Sequence, residues 1–358
     1  MRTLFIFAIT ILIISCVEKQ NKFIELKYNP KIKLELIQEL SNDSVNIGFV
    51  RDIEVLNNEI YVSDIETNQI HVFDLNLNHL RSSDPFGIGP SSFNYPADFT
   101  KYNDKIIVTP NFFNYSYINK EFQKQKFLGT PQELHAGNIS RPVFMENTAA
   151  VGAYSEKLYL NPNKSKIKSV ALLNYKGELI KSICSFDNIY DENLGDAFYE
   201  SGANVLLSNV FNYSFVVLQC PTTKYYCYNE DGELLKSMSY KPKYFEKPQY
   251  FTLDSLRKMN SADKFEKWGS KLTFYRTMIY DNKNNLLNIC YGKMRTTSMN
   301  SRSIADYDYY LIIINDKFEV IYDGKIDGSM VSIENGYIYT LVDDIDKFII
   351  HKYSVKKL

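Results

Sequence analysis

The chain lacks most of what announces an enzyme. Its 358 residues include four histidines, five cysteines and a single tryptophan, and no C-x-x-C pair is present to suggest a metal clip. The histidines stand far apart, at His71, His79, His135 and His351, and no G-x-S-x-G nucleophile turn occurs. Charge of one sign is also missing: 41 Lys and Arg against 42 Asp and Glu leave a net charge of -1, so no basic face for nucleic acid is expected. The apolar run from Leu4 to Ile14 falls well short of the ~20 residues that a membrane span needs. What the chain has in quantity is 28 Tyr and 23 Phe within a 45% hydrophobic content. Flat rings pack well on pleated, half-buried surfaces, so this composition predicts a folded, strand-rich protein.

The N-terminus, "MRTLFIFAITILIISC", has a cationic Arg2, a short apolar stretch and a cysteine after a small residue. Ile13-Ile14-Ser15-Cys16 resembles the bacterial lipobox. That resemblance implies a signal peptide over 1–15, lipid attachment at Cys16, and a polar tether over 16–22. The expected location is the bacterial cell envelope, with the outer membrane favoured. Export would permit disulfides, yet Cys184, Cys220, Cys227 and Cys290 lie in apolar, strand-like runs, and buried free thiols are expected.

Paired β-rich runs recur along 23–358. They are "EIYVSD" with "QIHVFDLNLNHL", "KIIVTP" with "YSYINKEFQKQKFL", "KLYLNP" (157–162) with "SVALLNYKGELIKSI", "SFVVLQC" with "KYYCYNEDGELLKSM", "NNLLNICY" with "DYYLIIINDKFEVIY", and "GYIYTLVD" with "KFIIHKYSVKK". Five of the second runs meet a polar turn, at Asp74, Asn119, Asn174, Asn229 and Asn315. Asp and Asn close tight turns with their own side chains. The rhythm predicts an all-β, six-bladed β-propeller of four-stranded antiparallel blades in a single domain. The sixth blade runs out of chain after three strands. Either "FIELKYN" (23–29) or "KIKLELIQEL" (31–40) is expected to close the ring as its outer strand.

The glycines in "DPFGIGPSSFNYPADF" suggest a phosphate cradle at first sight. A cradle needs a helix immediately after it, and Pro96 with its aromatic neighbours opposes one, so a junction between blades is expected. Together, "IYVSDIETNQIHVFDLNLNHL" and "FGIGPSSFNYPADF" resemble the NHL-type repeat. With the lipobox, the chain resembles the six-bladed propeller lipoproteins of Bacteroidetes, which implies a binding module rather than a reaction. Between blades four and five, the spacing of Leu253, Leu256, Met259, Phe265 and Trp268 predicts a short helical insertion near 248–270.

Inner strands line a propeller's channel. Candidate channel-binding residues are Arg51, Asp52, Tyr95, Asp98, Arg141, Tyr275 and Arg276. Arginines grip carboxylates bidentately and aromatic rings stack on sugars, whereas the plainer role for these arginines is to neutralise neighbouring carboxylates. The expected protein is a monomeric, lipid-anchored binding or scaffolding module for a glycan, a peptide or an envelope protein, with no cofactor, no catalytic residue and no metal. The alternative from another class is a metal-dependent hydrolase or lyase with its site in the channel.

Overall fold

The paired runs become neighbouring strands of six antiparallel sheets in the computed structural model, which describes residues 23–42, 45, 47–85, 98–111, 114–129, 131, 134–136, 141–155, 167–187, 205–220, 222–246, 258–259, 273–295, 307–343 and 348–358. Blade 1 comprises Val50–Leu56, Glu59–Asp64, Gln69–Asp74 and His79–Ser82. Blade 2 comprises Asp98–Tyr102, Lys105–Asn111, Asn114–Ile118 and Lys124–Gly129. Blade 4 starts at Val205–Val210, blade 5 at Thr273–Asp281 and blade 6 at Ser329–Glu334, each continuing through consecutive hairpins. The first strands of successive blades stand side by side around an axis, with that of blade 6 next to that of blade 1, so the ring closes.

Blade 3 corrects one detail. Its second strand is Thr148–Ser155, not the expected 157–162, which lies outside the described residues. The sequence "TAAVGAYS" hides this strand because alanine and glycine have low β-propensity. They are used here because Ala149 and Ala150 are fully buried between neighbouring sheets. The first strand of this blade is split, so that both Leu134–Ala136 and Val143–Phe144 pair with Thr148–Ser155.

Closure follows the second of the two expected routes. Ile32–Asn42 runs antiparallel to Phe348–Lys357 as the outer strand of blade 6. The other candidate segment has a separate role. Phe23–Glu25 pairs in parallel with Ser237–Ser239 at the outer edge of blade 4, and Tyr28 then bridges Val320 of blade 5. One stretch of chain therefore laces the outer edges of three blades, helped by an ion pair between Lys31 and Glu319.

The five polar turns share one construction. The Oδ1 atoms of Asn119, Asn174 and Asn315, and of Asp74, accept backbone N–H groups two and four residues onward, and Asn229 accepts the one four residues onward. The third residue onward has positive φ in each: Leu77, Phe122, Gly177, Gly232 and Phe318. Glycine adopts this backbone freely. Leu77 and Phe122 are strained there but bury their side chains almost completely, which offsets the cost.

Buried side chains form six clusters, one between each pair of adjacent blades. A third strand packed on both faces has no solvent side, which is why "YYLIII" in blade 5 is a continuous apolar run rather than an alternating one. Cys184, Cys220, Cys227 and Cys290 are all buried and stand as thiols rather than halves of disulfides, as expected, and burial pushes the thiols of Cys220, Cys227 and Cys290 up to about 12. The helical insertion, apart from Lys258 and Met259, and residues 86–97 of the glycine-rich junction fall outside the described residues.

Candidate functional site

The first strand of a blade has no partner on its channel side, so its free N–H and C=O groups face the axis and must find acceptors and donors elsewhere. Side chains from neighbouring blades supply them. Asp52 Oδ2 accepts the Phe99 N–H at 2.7 Å, Thr277 Oγ1 donates to the Met330 carbonyl at 2.7 Å, and Ser332 Oγ accepts the Val55 N–H at 3.1 Å. Lys101 Nζ donates to the Ile333 carbonyl at 2.7 Å and meets Glu334 at 2.8 Å and Glu54 at 3.2 Å.

Arg141 is the centre of this network. It leads into the first strand of blade 3 and reaches Glu54 at 2.6 Å and Asp52 at 2.9 Å, both in blade 1. The same guanidinium donates to the carbonyls of Ile53 at 3.2 Å and Val331 at 3.0 Å, so it bonds the open edges of blades 1 and 6. Burial works against its charge, but Asp52 and Glu54 more than compensate and raise its pKa. For Asp52, burial is the largest influence and raises the carboxyl pKa; Asp98 and Glu54 add to the rise, while Arg141 and the Phe99 N–H oppose it. Beside this group, Arg51 makes a two-pronged pair with Asp98 at 2.8 and 3.2 Å, and that contact raises the Arg51 pKa.

Of the residues proposed from sequence, Arg51, Asp52, Asp98 and Arg141 therefore come together, and each is occupied by another. The structure does not place Tyr275 with them. It is buried in the cluster between blades 4 and 5, stacked on Phe245 at 5.6 Å. Arg276 stands apart on blade 5, over the rings of Phe274 and Tyr307. Tyr95 and Cys16 lie outside the described residues.

Sequence reasoning missed the open end of the channel. Beyond the Arg141 network is a cavity of about 640 Å³ at the ends of the first strands. Its rim comes from the hairpins that join first to second strands, with Asn57, Asn103, Asp104, Asn209 and Asn282 in the lining alongside Tyr102, Phe144 and Tyr280. Among the described residues these four asparagines and Asp104 have no side-chain hydrogen bond or ion pair. The signal was available in "LNNE", "YNDK" and "ENGY", because two-residue hairpins need positive φ and recruit Asn; Asn57, Asn58, Asn103 and Asn335 all have it. Sharing Leu56, Asn57 and Asp104 with this cavity, a groove of about 620 Å³ runs between blades 1 and 2 past Tyr61, Tyr117 and Lys105.

Among the described residues, a serine–histidine–aspartate grouping stands in blade 1. His71 Nδ1 is 2.8 Å from Ser82 Oγ, and Nε2 is 3.7 Å from Asp64 Oδ2. Asp64 is fully buried and accepts the N–H groups of Gly48, Phe49 and Glu66 together with the Thr67 hydroxyl. It pins the turn between the second and third strands. Among the described residues, no three of His, Cys, Asp and Glu converge to hold a metal ion.

Fold and channel together define a six-bladed β-propeller with an ion-paired axis and a polar mouth. No protein-family profile and no curated protein matches the sequence. Among solved structures, the chain is similar to a member of the DUF4221 family from Bacteroides vulgatus, with TM-score 0.62 and 14% identity over 92% of this chain and 99% of that one. A protein of Bacteroides fragilis, named for its expected export, superposes with TM-score 0.55 and 12% identity over 94% and 100%. Likeness at such identity is of fold alone. Virginiamycin B lyase from Staphylococcus aureus superposes with TM-score 0.43 and 11% identity over 90% and 99%, too loosely to carry an argument about chemistry.

Proposed function

We propose that this protein is an exported propeller, anchored to the bacterial envelope through Cys16, that binds a glycan, peptide or protein partner at the polar mouth of its channel. The observation that carries the reading is the 640 Å³ cavity, where Asn57, Asn103, Asn209, Asn282 and Asp104 have no side-chain partner among the described residues. Amide groups both donate and accept hydrogen bonds, and with ring faces nearby they suit hydroxyl- or amide-rich ligands better than apolar ones. The continuing groove between blades 1 and 2 supports an extended ligand rather than a compact one. The expected export of the Bacteroides fragilis relative agrees with the leader-like N-terminus.

The test is affinity capture from detergent-solubilised envelopes with wild type and an Asn103→Ala/Asn209→Ala variant in parallel. A specific glycan or protein held by the wild type and lost by the variant is expected. An identical set held by both proteins overturns the mouth as the binding site. Cys16→Ser is expected to release the protein from the membrane fraction, and retention there contradicts lipid anchoring at that residue.

A further inference from the structure

Two outer strands of the ring are built from nearly the same letters. "NYKGELIKS" (174–182) leads into the outer strand of blade 3, Leu179–Ser185, and "NEDGELLKS" (229–237) into that of blade 4, Leu234–Ser239. Both meet the preceding strand in the same register. Lys181 stands opposite Leu172 and Ser182 opposite Ala171, as Lys236 stands opposite Cys227 and Ser237 opposite Tyr226. The ring therefore presents the same kind of edge twice. At blade 4 that edge is covered by the chain itself: Phe23–Glu25 runs parallel to it, with Phe23 beside Ser237 and Ile24 beside Met238, and the Leu26 N–H donates to the Ser239 carbonyl at 2.8 Å. Ile24 and Leu26 turn inward to the cluster between blades 4 and 5, while Phe23 and Glu25 face solvent.

Blade 3 differs at the matching positions. Among the described residues no strand pairs with the outer side of Leu179–Ser185. Where Ser237 is buried and Leu234 and Lys236 are half-buried, Ser182, Leu179 and Lys181 are all exposed. Leu179 is 46% and Ile180 55% exposed, so two neighbouring apolar side chains stand on an unpaired edge with Lys181 beside them. The strand bends at Cys184, whose φ is +57°, which limits the open run to 179–182. An unpaired edge offers a row of backbone N–H and C=O groups to any extended chain laid along it. The exposed apolar pair and the adjacent cation set which side chains that chain should carry.

We propose that the outer edge of blade 3, over 179–182, is a strand-addition site for an extended segment of a partner protein. The segment is apolar at alternate positions and carries a carboxylate to meet Lys181, the chemistry of the Phe-Ile-Glu-Leu stretch (23–26) that this chain lays on the matching edge of blade 4. Its backbone extends the sheet, and its apolar side chains cover Leu179 and Ile180. None of residues 179–182 lines the 640 Å³ mouth or the groove between blades 1 and 2, so the edge stands or falls apart from the site proposed above.

The probe is a fluorescein-labelled peptide of residues 23–29, FIELKYN, read by fluorescence anisotropy against a scrambled peptide. Wild type, with its own 23–29 in place on blade 4, is expected to bind one equivalent saturably and to ignore the scrambled sequence. Leu179→Lys/Ile180→Lys changes two exposed side chains and is expected to lose that equivalent, and Lys181→Glu to weaken it. Protein lacking residues 23–30 is expected to bind two equivalents, one at each edge, which separates blade 3 from the vacated blade 4. Asn103→Ala/Asn209→Ala is expected to bind the peptide as wild type does; loss of binding there puts the peptide at the mouth and overturns the edge site. Binding by the shortened protein alone, or an undiminished equivalent in Leu179→Lys/Ile180→Lys, also overturns the proposal. So does self-association of the wild type that Leu179→Lys/Ile180→Lys abolishes, because the edge then belongs to a second copy of this chain.

Discussion

Arg141 Nη1 lies 2.6 Å from Glu54 Oε2, and this contact joins blade 3 to blade 1 across the channel, passing over blade 2 altogether. Glu54 is 2% exposed and its other oxygen is taken by Ser332 of blade 6, so the carboxylate has been withdrawn from water and depends on its partners. Without Arg141, Glu54 keeps only Lys101, at 3.2 Å, as a cationic partner among the described residues, and the buried negative charge is left under-compensated. Arg141→Met is expected to cost about 3–5 kcal/mol in urea unfolding. Arg141→Met/Glu54→Gln together should cost less than Arg141→Met alone, because the stranded charge is gone. Equal or larger loss in the double variant contradicts this account of the axis.

Ring closure predicts a graded response to trimming. Removing residues 23–30 takes away the parallel strand on blade 4 and the bridge to blade 5, yet leaves Ile32–Asn42 in place. That variant is expected to keep the elution volume of the wild type, with a lowered melting temperature. Removal through Asn42 exposes the whole edge of Phe348–Lys357, and size-exclusion chromatography is expected to show association through it.

The shared turns make a quieter prediction. Asn174→Ala removes a side-chain acceptor for the N–H groups of Lys176 and Glu178, at an expected cost of about 1 kcal/mol. Gly177→Ala should be worse than that. Its φ is +84°, and the added Cβ would meet the Gly129 carbonyl oxygen at 2.4 Å. Denaturant titration of the two variants checks the order.

Asp64 sets an acid limit on blade 1. Burial alone would raise its pKa, but bonds from His71, from the N–H groups of Gly48 and Phe49, and from Thr67 outweigh burial and hold the carboxyl far below the ordinary carboxylate range. A group whose folded pKa is depressed contributes stability above its unfolded pKa, about 3.9, and that contribution fades as the pH falls toward the folded value. Wild type is therefore expected to lose urea stability steeply below about pH 4. Asp64→Asn should be weaker at pH 7 and show a shallower acid slope.

Much of the fold was legible because its signals are local. Asp74, Asn119, Asn174, Asn229 and Asn315 bend the chain with their own side chains, so their spacing revealed the blades. Ring closure was legible as a deficit, a last blade one strand short. Thr148–Ser155 was not, because its alanines answer to the blades on either side rather than to strand propensity. The site was harder still. That the arginines neutralise carboxylates was the plainer role read from the sequence, but which carboxylates Arg51 and Arg141 meet depends on what the ring brings opposite them, and sequence separations of 47 and 87 residues conceal that. Asn103 and Asn209 were passed over because asparagine in a hairpin already has a sufficient reason to be there.

The most direct test of the account is hydrogen–deuterium exchange on the protein with its captured partner bound. Binding at the channel mouth predicts slowed exchange in 100–104, 205–209 and 279–283, the ends of three first strands, with the outer edge strands of blades 1–3 unchanged. Slowed exchange confined to those outer edges, with the mouth unaffected, would contradict it and make this propeller a module that docks by its rim.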